Sequence, residues 1–256
     1  MSTLRTHRTP LTDSMIMLRR NLKHTVRNPV TVFQSVLFPI VIMLMFVKVL
    51  GGGFAVGEAY IDYVTPGLLV MAVSYGLGST AAAVNSDMTT GVINRFKVMD
   101  VSRGAVLTGH VVITALRCLV ACAAIVGVAF AMGFDPGASA LDWLGVLGLV
   151  LLLAFAAGWL TVALGLAAKT VESAGMAAVP LVMLPFLSSA FVPAHTMGTG
   201  VRQFVEYQPF TPIIETLRGL LAGDPSGGDA AAAVAWCVGF TVVGYVWAVA
   251  TFKKRA

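Results

Sequence analysis

Charged side chains are scarce in this chain, and uninterrupted polar stretches are nearly absent. Asp, Glu, Lys and Arg make up 11% of its 256 residues and hydrophobic types 57%, where a soluble domain carries about 25% charged residues. No water-soluble core could hide that much apolar surface. Cysteine is scarce as well. There are three, Cys118 and Cys122 one helical turn apart and Cys237 far downstream, with no C-x-x-C and no histidine beside them. They read as small apolar packing residues, not as a metal site or a disulfide framework.

Catalytic signatures are missing too. The chain has no H-E-x-x-H, no G-x-S-x-G and no pair of carboxylates inside an apolar stretch, so an intramembrane enzyme would lack its nucleophile, base or metal. It also lacks G-x-x-x-x-G-K-[ST], and with it the loop that cradles ATP phosphates. His7, His24, His110 and His195 are each placed without a partner and read as structural or solvated. The chain is therefore expected not to be an enzyme, and to carry no metal or cofactor of its own.

What the sequence does have is six long apolar stretches, roughly Val30–Leu50, Thr65–Val84, Ala105–Met132, Trp143–Ala167, Gly175–Val192 and Ala230–Thr251. A helix needs about 20 apolar residues to cross a hydrocarbon core about 30 Å thick at about 1.5 Å per residue. Each stretch meets or approaches that length, which predicts an all-α polytopic membrane protein with six transmembrane helices. Pro39 is expected to kink the first span, and Pro180 and Pro185 the fifth. Between spans five and six, residues 193–229 break the pattern. The best apolar run there, Ile213 to Ala222, is about half the length needed to cross. It reads as a re-entrant or interfacial helical hairpin, started by Thr211 and Pro212 and stopped by Gly223, with Ile213, Ile214, Leu217, Leu220 and Leu221 on one apolar face.

Basic residues fall on one side of these spans. Arg5, Arg8, Arg19, Arg20, Lys23 and Arg27 precede the first; Arg95, Lys97 and Arg103 follow the second; Lys169 follows the fourth; Lys253, Lys254 and Arg255 end the chain. The other side has only Lys48, Arg202 and Arg218, but holds Glu58, Asp62, Asp135, Asp142, Glu206, Glu215, Asp224 and Asp229. The positive-inside bias therefore puts both termini in the cytoplasm and the hairpin outside. The net charge of +5 is an asymmetry across a membrane, and no nucleic-acid partner is needed to explain it. Arg19 and Arg20 ahead of an apolar run faintly resemble a twin-arginine export signal, but the run is too long and five more spans follow.

Ion-driven transporters keep titratable residues near mid-membrane. Arg117 is the one strong intramembrane candidate here, and an anchor at the inner interface or an inter-helix bond accounts for it. A membrane protein with no engine of its own has two cytoplasmic pieces suited to docking one. Leu11, Met15, Leu18, Leu22 and Val26 recur at helical spacing, with Arg19, Arg20, Lys23 and Arg27 on much of the remaining surface, giving an amphipathic interfacial helix. The second piece is the loop after span two, residues 85–104.

That loop reads Asp87-Met-Thr-Thr-Gly91-Val-Ile-Asn-Arg95-Phe96-Lys97-Val-Met-Asp100-Val-Ser102-Arg103. It resembles the acidic-x-x-x-Gly, Arg-Phe-basic, Ser-Arg pattern of ABC-2 type exporter permeases, particularly their daunorubicin-resistance branch. Three more stretches agree: Tyr63-Val-Thr-Pro66-Gly67-Leu68-Leu69, Ser188-Ser189-Ala-Phe191-Val-Pro193, and Gln208-Pro209-Phe-Thr211-Pro212-Ile-Ile-Glu215-Thr-Leu217-Arg218-Gly219-Leu220-Leu221. The resemblance covers essentially the whole chain, in order. It implies a single ABC-2 type membrane domain over residues 1–256, divided into a cytoplasmic amphipathic segment 1–29, a six-span region 30–251 and a cytoplasmic tail 252–256.

The resemblance also implies partners and roles. The chain would pair with a second permease, a copy of itself or a related chain, and with cytoplasmic ABC ATPase subunits that bind ATP and magnesium. It would export an amphiphilic compound such as a drug, antibiotic or lipid-like molecule from a bacterial plasma membrane. The loop would form a coupling helix seated in the ATPase, built on Asp87, Gly91, Arg95, Phe96, Lys97 and Arg103. Met99 and Asp100 depart from that pattern, where the family commonly has Leu-Pro. The outer hairpin, with Pro209, Pro212, Glu215, Arg218 and Gly219, would cap the assembly, Glu215 and Arg218 pairing on one helix face while the apolar face dips into the outer leaflet.

Small residues at four-residue spacing, Ala154 with Gly158 and Ala123 with Gly127, read as packing inside one subunit. Phe33, Met43, Met45, Phe46, Met71 and Phe186 would suit a pliable ligand, and lipid-facing burial explains most of them equally well. The competing classes are an ion-gradient-driven transporter, which requires a titratable relay at mid-membrane, and a non-transporting scaffold, which requires no docking loop.

Overall fold

A computed structural model describes residues 37–50, 59–89, 103–224 and 226–255. The basic positions Arg19, Arg20, Lys23 and Arg27, and Gly91, Arg95, Phe96 and Lys97 of the loop after span two, lie outside the described residues. Arg103 is described only as the first residue of a helix.

All regular structure among the described residues is helical. In order it forms α1 (Phe38–Leu44), α2 (Tyr60–Tyr75), α3 (Leu77–Thr89), α4 (Arg103–Ala131), α5 (Ala140–Ala167), α6 (Val171–Ala177), α7 (Val179–Met183), α8 (Thr199–Tyr207), α9 (Phe210–Ala222) and α10 (Gly227–Arg255). Four stretches are long and apolar enough to cross a bilayer: Tyr60–Thr89, Leu107–Ala131, Ala140–Ala167 and Gly227–Lys254. The apolar stretches Phe38–Val49 and Val171–Leu187 are shorter. The first expected span is thus described only over its second part. Pro39 stands in the first turn of α1, which follows Leu37 in π-helical geometry, and Met45–Leu50 then opens into a π-helix.

The fifth expected span is not one helix. Pro180 begins α7, Pro185 begins a tight 3-10 turn over Leu184–Leu187, and the chain then leaves helical geometry at Ser188. Span two is interrupted as well, at Gly76 between α2 and α3. The two interruptions sit at the same depth, because a Cβ on Gly78 would lie 3.3 Å from the carbonyl oxygen of Gly175.

The long helices run alternately up and down. One end of the bundle gathers Val84, Leu107, Leu166 and Phe252 into a buried cluster. At the other end the backbone N–H of Asp135 donates to Asp62 Oδ1 at 3.2 Å. Gly223 closes α9 there in left-handed geometry, φ +78°. Asp224 N–H bonds to Gly219 O and Gly223 N–H to Leu220 O, which satisfies the last carbonyls. α2 is buried on every face along most of its length, whereas α10 leaves Val234, Val238, Val242 and Val246 facing outward. A helix that is apolar all round is what either setting requires.

Close helix contacts rest on small residues. Ala154 is fully buried and Gly158 faces Val111 of α4, so this pair packs inside the subunit as expected. Ala123 and Gly127 do not. They face outward, with nothing within 4 Å of the position a Gly127 Cβ would take. With Leu119, Phe130, Trp143 and Leu147 they line an open apolar recess of about 390 Å³ between α4 and α5. Met43 and Met71 are completely enclosed in the core.

A close backbone contact joins α10 to α5, where a Cβ on Gly244 would meet the backbone nitrogen of Leu160 at 2.6 Å. Replacing Gly by Ala in an open helix gains about 1 kcal/mol, but forcing two backbones apart costs about 1–3 kcal/mol, and here the second effect wins. Gly244→Ala is expected to lower the thermal midpoint in detergent by several degrees. Gly239→Ala, at a position with nothing within 4 Å, is expected to leave it unchanged or raise it.

Candidate functional site

A broken helix frees carbonyls, and inside an apolar bundle each must find a donor. Where the fifth span leaves helical geometry, three donors come from other elements. Gln208 Nε2 donates to Leu187 O at 2.9 Å, Tyr63 Oη to Ser189 O at 2.9 Å and Tyr60 Oη to Phe191 O at 3.3 Å. Arg218 of α9 adds the strongest link. Its Nη2 donates to Ser189 O at 2.9 Å and to Tyr63 O at 3.2 Å, its Nη1 pairs with Glu215 Oε2 at 2.6 Å, and its guanidinium lies 3.9 Å over the Tyr63 ring. Gly67 lets α2 press on this stretch: a Cβ there would lie 2.5 Å from Ala190 Cβ. Phe191 stacks between Phe46 and Phe186, so the knot ties four segments together.

The segment expected to form a hairpin between spans five and six holds two helices, α8 and α9, with Pro209 as the residue before α9 and Pro212 in its first turn. α9 begins at Phe210, one residue ahead of the start expected at Thr211. Glu215 and Arg218 pair as the spacing requires. One expectation is corrected: the apolar face does not dip into lipid. Ile213, Ile214, Leu217 and Leu221 are buried against α2, α5 and α10. Apolar periodicity identifies a face but not what covers it, because lipid tails and protein interior are equally apolar.

At the opposite end, α3 is fastened to both neighbours. Asn85 Nδ2 donates to Gly165 O at 3.0 Å and to Ala168 O at 2.8 Å, holding the last carbonyls of α5. Asp87 Oδ2 meets His110 Nε2 of α4 at 3.2 Å, with both side chains largely enclosed. This corrects the reading of His110 as a residue without a partner. Asp87 belongs to the last turn of α3, so it is the foot on which the loop after span two stands. Asn85 was missed by sequence reasoning, although a lone amide near the end of an apolar helix is a signal for capping a neighbour. Arg117 is the inter-helix bond, not an interface anchor: its Nη2 donates to Gly76 O and to Thr80 Oγ1, and its Nη1 to Ser79 Oγ.

Among the described residues no group of three or more His, Cys, Asp or Glu is placed to hold a metal. The three cysteines are buried and free. Apolar helices long enough to cross a bilayer, pinned by polar knots at both ends, define a multi-pass membrane protein. The chain belongs to the ABC-2 type transporter family, whose model matches residues 12–222. It is 30% identical over 197 residues, 76% of this chain and 70% of the other, to the daunorubicin resistance ABC transporter permease protein DrrB1 of Streptomyces coeruleorubidus. It is 28% identical over 241 residues, 90% of this chain and 84% of the other, to the probable doxorubicin resistance ABC transporter permease protein DrrC of Mycobacterium tuberculosis. The chain is thus a membrane-spanning permease subunit of an ABC transporter, and such subunits work with ABC ATPases.

Proposed function

We propose that this permease exports an amphiphilic, drug-like compound across a bacterial plasma membrane, driven by ATPase subunits that hold ATP and magnesium themselves. The observation that carries the reading is the family match over residues 12–222, joined by two relatives named for daunorubicin and doxorubicin resistance. Six spans with both termini in the cytoplasm follow from span length and the placement of basic residues. The polar foot at Asn85 and Asp87 is then cytoplasmic, and the hairpin of α8 and α9 is a re-entrant cap on the outer side. Residues 90–102, with Gly91, Arg95, Phe96 and Lys97, form the coupling contact with the ATPase, and Arg19, Arg20, Lys23 and Arg27 lie on the inner leaflet. A second permease, most simply another copy of this chain, completes the pathway, and membrane lipids fill the outward apolar faces.

The test is co-expression of the tagged chain with candidate ABC ATPases, purification in mild detergent, and comparison of wild type with Arg95→Glu. The wild type is expected to retain one of them. Reversing the charge at a contact between complementary surfaces costs several kcal/mol, so retained ATPase is expected to fall at least about tenfold in the variant. A properly inserted wild-type chain that retains no ATPase would overturn the reading.

A further inference from the structure

Gly76 breaks span two, and the break is held from outside. Its carbonyl accepts from Arg117 Nη2, and it accepts from Ser79 Oγ at 2.9 Å. Gly76 also makes room for that contact, since a Cβ there would fall 2.7 Å from Arg117 Nη2. Arg117 has no carboxylate within ion-pair reach among the described residues. Its two terminal nitrogens bond the oxygens of the break, Gly76 O, Ser79 Oγ at 3.1 Å and Thr80 Oγ1 at 2.7 Å, while its Nε is buried without a partner.

From Thr80 the bonding continues toward the polar foot. Thr80 Oγ1 lies 3.0 Å from Thr114 Oγ1 of α4, and Thr114 Oγ1 donates to His110 O at 2.8 Å. Each hydroxyl has one proton. Thr80 Oγ1 accepts from Arg117 and shares its own proton between Thr114 Oγ1 at 3.0 Å and Gly76 O at 3.4 Å. His110 then reaches Asp87 through its ring. Gly76, Thr80 and Asp87 are spaced four and seven apart, and His110, Thr114 and Arg117 four and three apart. Two antiparallel helices thus present one polar seam to each other along about 16 Å of axis.

We infer that Arg117 is a positioning residue for ATP-driven transport, linking the Gly76 break to the Asp87–His110 foot of the loop after span two through Thr80 and Thr114. This rests on the permease reading. Movement of the loop shifts Asp87 against His110. The seam keeps α3 and α4 in register, so the displacement is delivered at the Gly76 interruption of span two. An apolar seam would let the helices slide, because packing in a membrane has no directional term of its own.

The first arm of the test needs only this chain. All three cysteines are buried, so a fluorogenic thiol dye reports unfolding of the detergent-solubilised protein. Asp87→Asn and Arg117→Met are compared singly and together, since changes more than about 10 Å apart ordinarily add. The seam predicts that the double variant falls short of the summed loss by at least about 3 °C, and that a Thr114→Val background restores additivity. Additive losses in the native background would overturn the link.

The second arm measures doxorubicin uptake per ATP hydrolysed in inside-out vesicles carrying the permease with its ATPase. Arg117→Met and Thr114→Val are each expected to lower that ratio about tenfold, within the usual range of coupling energies, and Arg117→Lys to restore part of it. Uptake per ATP unchanged in both variants would overturn the transport role of Arg117. A wild-type complex that moves no amphiphile would overturn the export reading and with it that role, while the thermal arm still decides the link.

Discussion

Arg218→Met is expected to lower the thermal midpoint by on the order of 10 °C. The guanidinium satisfies Ser189 O and Tyr63 O, pairs with Glu215 and covers the Tyr63 ring. Hydrogen bonds from a charged group contribute about 1.5–3 kcal/mol each, and a cation over an aromatic face about 1 kcal/mol. The stranded Glu215 adds little, because its side chain is 35% exposed and can turn to water. A loss of about 4 kcal/mol corresponds to that shift in a chain of this size. Arg218→Lys is expected to fall between, since an ammonium keeps the Glu215 pair but cannot fork between two carbonyls. The comparison that isolates burial is Arg202→Met. Arg202 pairs with Glu206 at 2.6 Å on α8, but the two side chains are 48% and 40% exposed, so the expected loss is under about 1 kcal/mol. Equal losses at Arg218 and Arg202 would show that the knot does not bear on the stability of the fold.

Gly67→Val is expected to be the more damaging change. A Cβ at this position meets Ala190 Cβ at 2.5 Å and then Ala190 Cα and O at 2.8 and 2.9 Å, so moving one methyl aside is not enough. α2 must part from the non-helical stretch, and the bonds from Tyr60 and Tyr63 go with it. Overpacking alone costs about 1–3 kcal/mol, to which the loss of the Tyr60 donor to Phe191 O adds about 1–3 kcal/mol, while Ser189 O keeps Arg218. The variant is expected to elute as aggregate on size exclusion, with its cysteines reactive at ambient temperature. Gly67→Ala with Ala190→Gly removes the nearest clash but not the two backbone ones, and is expected to recover a folded protein only in part. A monodisperse Gly67→Val with protected cysteines would show that α2 does not need this approach.

The long helices were legible because a bilayer sets a minimum length, which the apolar runs at 60–89, 107–131, 140–167 and 227–254 meet without help from tertiary structure. The ends were legible where a local residue decides them, as Gly223 does for α9. Breakage of the fifth span was legible in Pro180 and Pro185. The direction of α9 was not, because Ile213 and Leu217 would look the same against lipid or against α2. Pairing of Asp87 with His110 depends on the register between α3 and α4 across 23 residues of sequence, and no periodicity fixes it. The seam shows why spacing alone was insufficient. Thr80, Thr114 and Arg117 recur at helical intervals, but their meaning appears only when the two faces are laid together, and Gly76 carries no side chain to announce the break.

Spans two and five are interrupted beside each other, at Gly76 and at Ala178, and a plane through the two breaks divides both spans into two parts. Below that plane, α3 and α6 pack together and are bound to the ends of α4 and α5. Above it, α2 and the stretch after Leu187 are bound to α9. Each part of both spans is therefore fastened to its own neighbours, and the two breaks lie where one set of fastenings gives way to the other.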